Sequence, residues 1–135
     1  MDYAKFQNYK IMSAIEKLLP KANTALLASP VIKNDTLTEG VYDGYLAAFG
    51  PAVITSGLLP TLSVYIADDK RKKILNLIAE VAAINNTATG TALYQACLNE
   101  YNDLQKLNIW REKIINASVA LKITIRTFNH NIENE

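Results

Sequence analysis

The sequence predicts an all-α fold, a compact bundle of five to six helices. Three observations carry this. Apolar residues recur at three-to-four spacing in most segments, and no segment alternates strongly enough to outweigh them as a strand. The short VIKN and KITIRTF pieces are β-compatible locally, but the second lies inside a sustained helical pattern. The chain has 135 residues, half of them hydrophobic and a fifth charged, which suits one globular domain with a real core. Residues 1–2 and 131–135 are expected to fray.

Residues 3–28 read as helix, with Phe6, Met12, Ile15, Leu18, Leu19, Ala22 and Leu26 on the apolar side. Pro20 deletes a backbone hydrogen bond, so the segment kinks there or splits in two. Residues 29–38 lack periodicity and read as a long loop. A second helix runs from near Glu39 to about Ser56, with Tyr42, Tyr45, Leu46, Phe49, Val53 and Ile54 supplying apolar surface and Pro51 inside it. Gly57 has the type and position of a residue that closes a helix in the left-handed conformation. Pro60 suits the first turn of a third helix.

Residues 44–67 are uncharged and long enough to span a bilayer. Gly50-Pro51, Ser56-Gly57 and Pro60 interrupt them, so two core helices meeting at a tight turn explain the stretch better than a membrane span. The same reading accounts for the comparable apolar faces elsewhere.

Lys70, Arg71, Lys72 and Lys73 follow Asp68-Asp69, and a fourth helix over about 70–84, continuous with the third or separate, buries Ile74, Leu77, Ile78 and Val81. The aspartates, with Asp35, read as helix caps. Residues 85–91 read as a polar loop with Thr91 as the next N-cap. A helix over 92–106 carries Leu93, Tyr94, Cys97, Leu98, Tyr101 and Leu104.

The last helix, 109 to about 129, is the most regular. Trp110, Ile114, Ala117, Leu121, Ile125 and Phe128 form its core stripe, and Ile115, Val119 and Ile123 form a second apolar row suited to a partner interface. Arg111, Ser118, Lys122 and Arg126 run between the two rows.

A single Cys97 excludes an intramolecular disulfide framework, and with His130 as the only histidine a zinc centre lacks ligands. No cofactor is expected. Net charge is +1, so attraction to nucleic acid rests on how the cations are distributed. The N-terminal residues MDYAKFQNYK are too polar for a signal-peptide core, and the expected location is cytoplasmic.

Catalytic constellations are scarce, and the chain lacks a Gly-rich phosphate loop. Arg126-Thr-Phe-Asn-His130 resembles the Arg–spacer–His element of some helical RNases, with a spacer shorter than theirs. On a continuous helix both side chains would share one face, within reach of acid/base work.

Tyr45, Phe49-Gly50-Pro51, Ile54 and Ser56-Gly57-Leu58, continued by Leu62 and Ile66, resemble the signature region of the small α-helical subunit of type III-B CRISPR (Cmr) RNA-silencing complexes. Arg111 and Arg126 match basic positions on that family's last helix, and the likeness extends over residues 40–128. Asn116, Ile123 and Leu59-Pro60 depart from the family pattern.

The resemblance implies a non-catalytic scaffold that stacks on copies of itself, contacts other effector subunits and helps to line the channel of the guide RNA–target RNA duplex. Such a wall needs Lys and Arg along one face and no base-specific side chains. Arg111, Lys113, Lys122 and Arg126 are the expected RNA contacts, with Lys70, Arg71, Lys72 and Lys73 second; Ile115, Val119 and Ile123 are the expected partner interface. A protein-only adaptor is the other non-enzymatic reading of a near-neutral helical chain.

Overall fold

The computed structural model describes residues 14–130; the expectations for the first turns of the N-terminal helix and for frayed ends lie outside those residues. The architecture is an all-α bundle, with six α-helices and a very small sheet among the described residues.

Pro20 splits the first segment. Residues 14–16 are helical, the Leu18 amide donates to the Ile15 carbonyl at 2.9 Å, and α1 (Leu19–Ala28) restarts with Pro20 in its first turn, where no amide hydrogen is needed. The expected loop contains a hairpin of β1 (Ile32–Lys33) and β2 (Thr36–Leu37). Asn34 and Asp35 turn it with φ of 54° and 58°, the left-handed pair that a two-residue hairpin turn demands and that Asn and Asp tolerate. Val31, Ile32 and Leu37 anchor it in the core.

α2 (Val41–Ser56) buries Tyr42, Leu46, Phe49 and Val53 and keeps Pro51 on its exposed side. Ile54, assigned to the apolar face by sequence, points outward. Gly57 closes α2 and opens α3 (Leu58–Ala67) with φ 99° and ψ 161°. This is an extended, positive-φ conformation open essentially only to glycine, and not the left-handed helical one expected. Its amide still donates to Val53 at 2.9 Å. The corner is tied by Tyr65, whose hydroxyl donates to the Tyr45 carbonyl at 2.6 Å and whose ring meets Phe49 edge-on, centroids 5.2 Å apart.

α4 (Asp69–Ala82) is a separate helix. Asp68 is extended, and its carboxylate accepts the Arg71 amide at 2.9 Å, the capping role expected of it. After a 3₁₀ turn (Ile84–Asn86), Thr89 rather than Thr91 caps α5 (Gly90–Asn99) by accepting from the Ala92 amide. The helix expected to continue to Lys106 stops here. Asp103 caps α6 (Leu104–Ile125) through the Lys106 amide at 3.0 Å, so the last seven residues of the expected 92–106 helix fall in the turn before α6 and in its first turn. Tyr101 and Leu104 are consequently exposed. At the other end α6 stops at Ile125, and β3 (Asn129–His130) pairs parallel to β2.

α6 packs against α1, α2 and α4, while α5 lies against α3 and α4. α4 and α5 approach closely at Gly90: a Cβ there would stand 2.9 Å from Leu75 Cδ2, and its amide donates to Asn76 Oδ1 at 2.7 Å. No described helix is long and apolar enough to cross a membrane, and the uncharged run is the α2–α3 corner.

Gly90→Ala is expected to cost about 1–3 kcal/mol through overpacking, read as a lower urea midpoint at unchanged slope. Burial pushes the Cys97 thiol up to about 11 from 9.0, so the unfolded chain loses that proton first as pH rises. Stability from this group is complete below about pH 9 and falls as pH climbs toward about 11; Tyr65, also raised by burial, adds the same sign at higher pH. Urea titrations across that range should show the fall, and Cys97→Ala should flatten it.

Candidate nucleic-acid interface

The cations assigned by sequence separate into two places. Arg126 caps α6 and its Nε lies 3.4 Å from Asp43 Oδ1 on the first turn of α2. Lys70, at the start of α4, holds Glu39 just ahead of α2 at 2.6 Å. Arg71 stacks over the Tyr45 ring, 4.4 Å from its centroid, and also approaches Asp68 at 3.6 Å. The C-terminus of α6 and the N-terminus of α4 therefore meet around the N-terminal turn of α2. Lys122 lies one turn before Arg126 on the same flank of α6.

The ion pair draws Glu39 below the usual carboxylate range, chiefly through the Lys70 hydrogen bond, and raises Lys70 for the same reason. Both side chains remain open to water, as does Arg126. Exposed pairs of this kind are screened and contribute little to stability, so a phosphate can take over the cation without disturbing the fold. Lys72, Lys73 and Lys122 make no ion pair among the described residues. Lys70, Arg71 and Arg126 thus meet around the N-terminal turn of α2, with Lys73 near enough to Glu39 to help lower its pKa and Lys122 one turn from Arg126, whereas Lys72, ~200° round α4 from Lys70, faces away from the junction.

Lys113 does not join them. Two residues along a helix is ~200° of rotation, which puts it across α6 from Arg111 and Lys122. Ser118 is buried, its hydroxyl donating to the Ile115 carbonyl at 2.7 Å, and is no part of the exposed flank. Of the second apolar row, Ile115 packs partly on the core, Val119 is half-buried and Ile123 is exposed, so the row is interleaved with the cations instead of forming a face of its own.

Arg111 is on the same flank but roughly 22 Å from Arg126 along the axis at ~1.5 Å per residue. There it borders an open groove of about 380 Å³ between the α2–α3 corner and the start of α6. Its Nε is buried without a hydrogen-bond partner.

The Arg126–His130 face does not form. The helix ends at Ile125 and His130 lies in β3 beside Leu37, because pairing with the hairpin replaces the last helical turn. A continuous helix was required for that acid/base geometry.

Sequence reasoning missed Glu39, Asp43 and Tyr45 as partners of the cations, since each contact joins residues distant in the chain. It also missed the groove, although an uncharged run with more apolar residues than one helix face can bury is a signal for it. Comparison with protein-family models, curated proteins and solved structures finds no match to the chain.

A buried guanidinium nitrogen without an acceptor is a cost, while the stem of Arg111 still packs. Arg111→Met is expected to leave unfolding free energy unchanged or raise it by up to about 1 kcal/mol, measured by urea denaturation.

Proposed function

We propose that the chain is a non-catalytic helical scaffold whose cationic end lies against an RNA phosphate backbone, as the small subunit of a type III-B CRISPR effector complex in antiviral defence. The observation that carries the RNA part is the convergence of Lys70, Arg71 and Arg126 around the N-terminal turn of α2, with Lys73 and Lys122 beside them, on side chains that stay near water. A backbone-tracking surface needs this and little else. Affinity comes from counterion release, and the shape of an A-form duplex is met without reading bases.

The assignment to the effector complex is supported by the resemblance of residues 45–66 and of Arg111 and Arg126 to that family. The corner residues have a structural task here. Gly57 supplies a conformation other residues avoid, and Tyr45 offers its carbonyl to Tyr65 and its ring to Arg71. The signature thus builds the support on which the cations stand. In this reading the protein works in the cytoplasm beside other effector subunits, the guide RNA and the target RNA, and self-stacking brings successive cationic ends into line. The half-exposed Val119 and exposed Ile123 lie close enough to the cations to pack against a neighbouring subunit.

Lys73 and Lys122 are the informative positions, since reversing them breaks no ion pair within the described residues. In a reconstituted effector complex, replacing both by Glu should weaken target-RNA binding. In the isolated protein it should reduce the steepness of log K against log salt by about 0.7 per lost contact on single-stranded RNA. Unchanged target binding and an unchanged salt slope would defeat the reading.

A further inference from the structure

The groove beside Arg111 has a different chemistry from the cationic end. Its walls are Ile54, Leu59 and Pro60 from the α2–α3 corner and Leu104 and Leu107 from the start of α6, and Arg111 is the one charged side chain on it. Ile54 is 67% exposed, Leu104 72% and Tyr101, at the rim, 62%. These are large apolar side chains left in water next to one another, a patch that marks an interaction surface.

We propose that this groove docks an apolar segment of a partner protein that carries one carboxylate. The apolar side chains of the segment fill the space between the corner and α6, and the carboxylate meets the Arg111 guanidinium. Two observations specify that occupant. The first is charge complementarity: a single cation in an otherwise uncharged groove asks for a single anion surrounded by apolar groups. The second is that the Arg111 guanidinium makes no ion pair among the described residues, so its charge is free to meet a bound carboxylate.

An RNA strand is a poor match. Phosphates demand several cations in succession, and the groove offers one. Tyr and Arg over an apolar floor, with Lys, Asp and Glu absent from the lining, are the composition of a protein interface core. The groove is open along one side, which suits a peptide segment better than an enclosed small ligand. The inference goes beyond RNA scaffolding and rests on the groove alone, so it stands or falls separately from RNA binding by the cationic end.

The test uses the full-length chain and a random-peptide display library. Selection on the wild-type protein should enrich peptides in which bulky apolar residues flank an Asp or Glu. Those peptides should bind about tenfold or more weakly to Arg111→Glu, the factor expected from losing one charge-assisted hydrogen bond, and similarly weakly to Leu104→Ser. Selection on Arg111→Glu should turn the central residue to Lys or Arg. Leu104 is so exposed that its replacement leaves folding intact, which circular dichroism of both variants verifies. The proposal is overturned if no enrichment depends on Leu104, or if the enriched pattern lacks an acid. It is equally overturned if oligouridylate shifts the amide resonances of the groove, or if the wild-type protein self-associates and Leu104→Ser abolishes it, which would put RNA or a second copy there.

Discussion

Burial of α6 over nearly half its circumference is the constraint on which the rest of the structure depends. Trp110, Ala117 and Leu121 lie at the centre of that arc, while small Ala120 and Ser118 mark its two edges, which lets α1, α2 and α4 close in together. Once three helices have docked, only one flank of α6 remains for contact with anything else. The same docking fixes which residues stand beside that flank: Asp43 of α2 next to Arg126, and the α2–α3 corner next to Arg111.

The N-terminal turn of α2 then acts as an electrostatic junction. Glu39 and Asp43 sit where the helix dipole favours negative charge, and each attracts a cation from a different helix. Tyr45, one turn further on, takes Arg71 on its ring while its carbonyl is occupied by Tyr65. These contacts orient the cations without sequestering them, since water and salt reach every one. Positioning is thus separated from neutralisation, which is what a surface that exchanges partners requires.

The exposed flank of α6 is chemically uneven along its length. Its C-terminal end is cationic, its N-terminal end apolar with a single Arg. A helical projection of the sequence superimposes Arg111, Lys122 and Arg126 because rotation is all it preserves. Axial distance, and the identity of the neighbouring helix at each level, are lost in it. Lys113 is the converse case: rotation alone excludes it from the flank that holds Arg111 and Lys122.

The sequence by itself determined the class of fold, the helices and the locations of several of their breaks. Three-to-four apolar periodicity, Pro20, Gly57, Pro60 and the Asp68 cap act over a few residues, so they are legible without a partner. The flank bearing Lys122 and Arg126 was legible for the same reason. Tertiary structure decided what depends on residues far apart in the chain. Asn129 and His130 leave the helix because Thr36 and Leu37 offer them a strand to pair with, and that removes the Arg126–His130 face. Gly90 is needed only because Leu75 lies against it. Glu39 and Asp43 become partners of Lys70 and Arg126, and Ile54 and Leu104 face one groove, only once α2, α4 and α6 have packed. Local patterns set which segments coil; the shared core sets which ends of them meet.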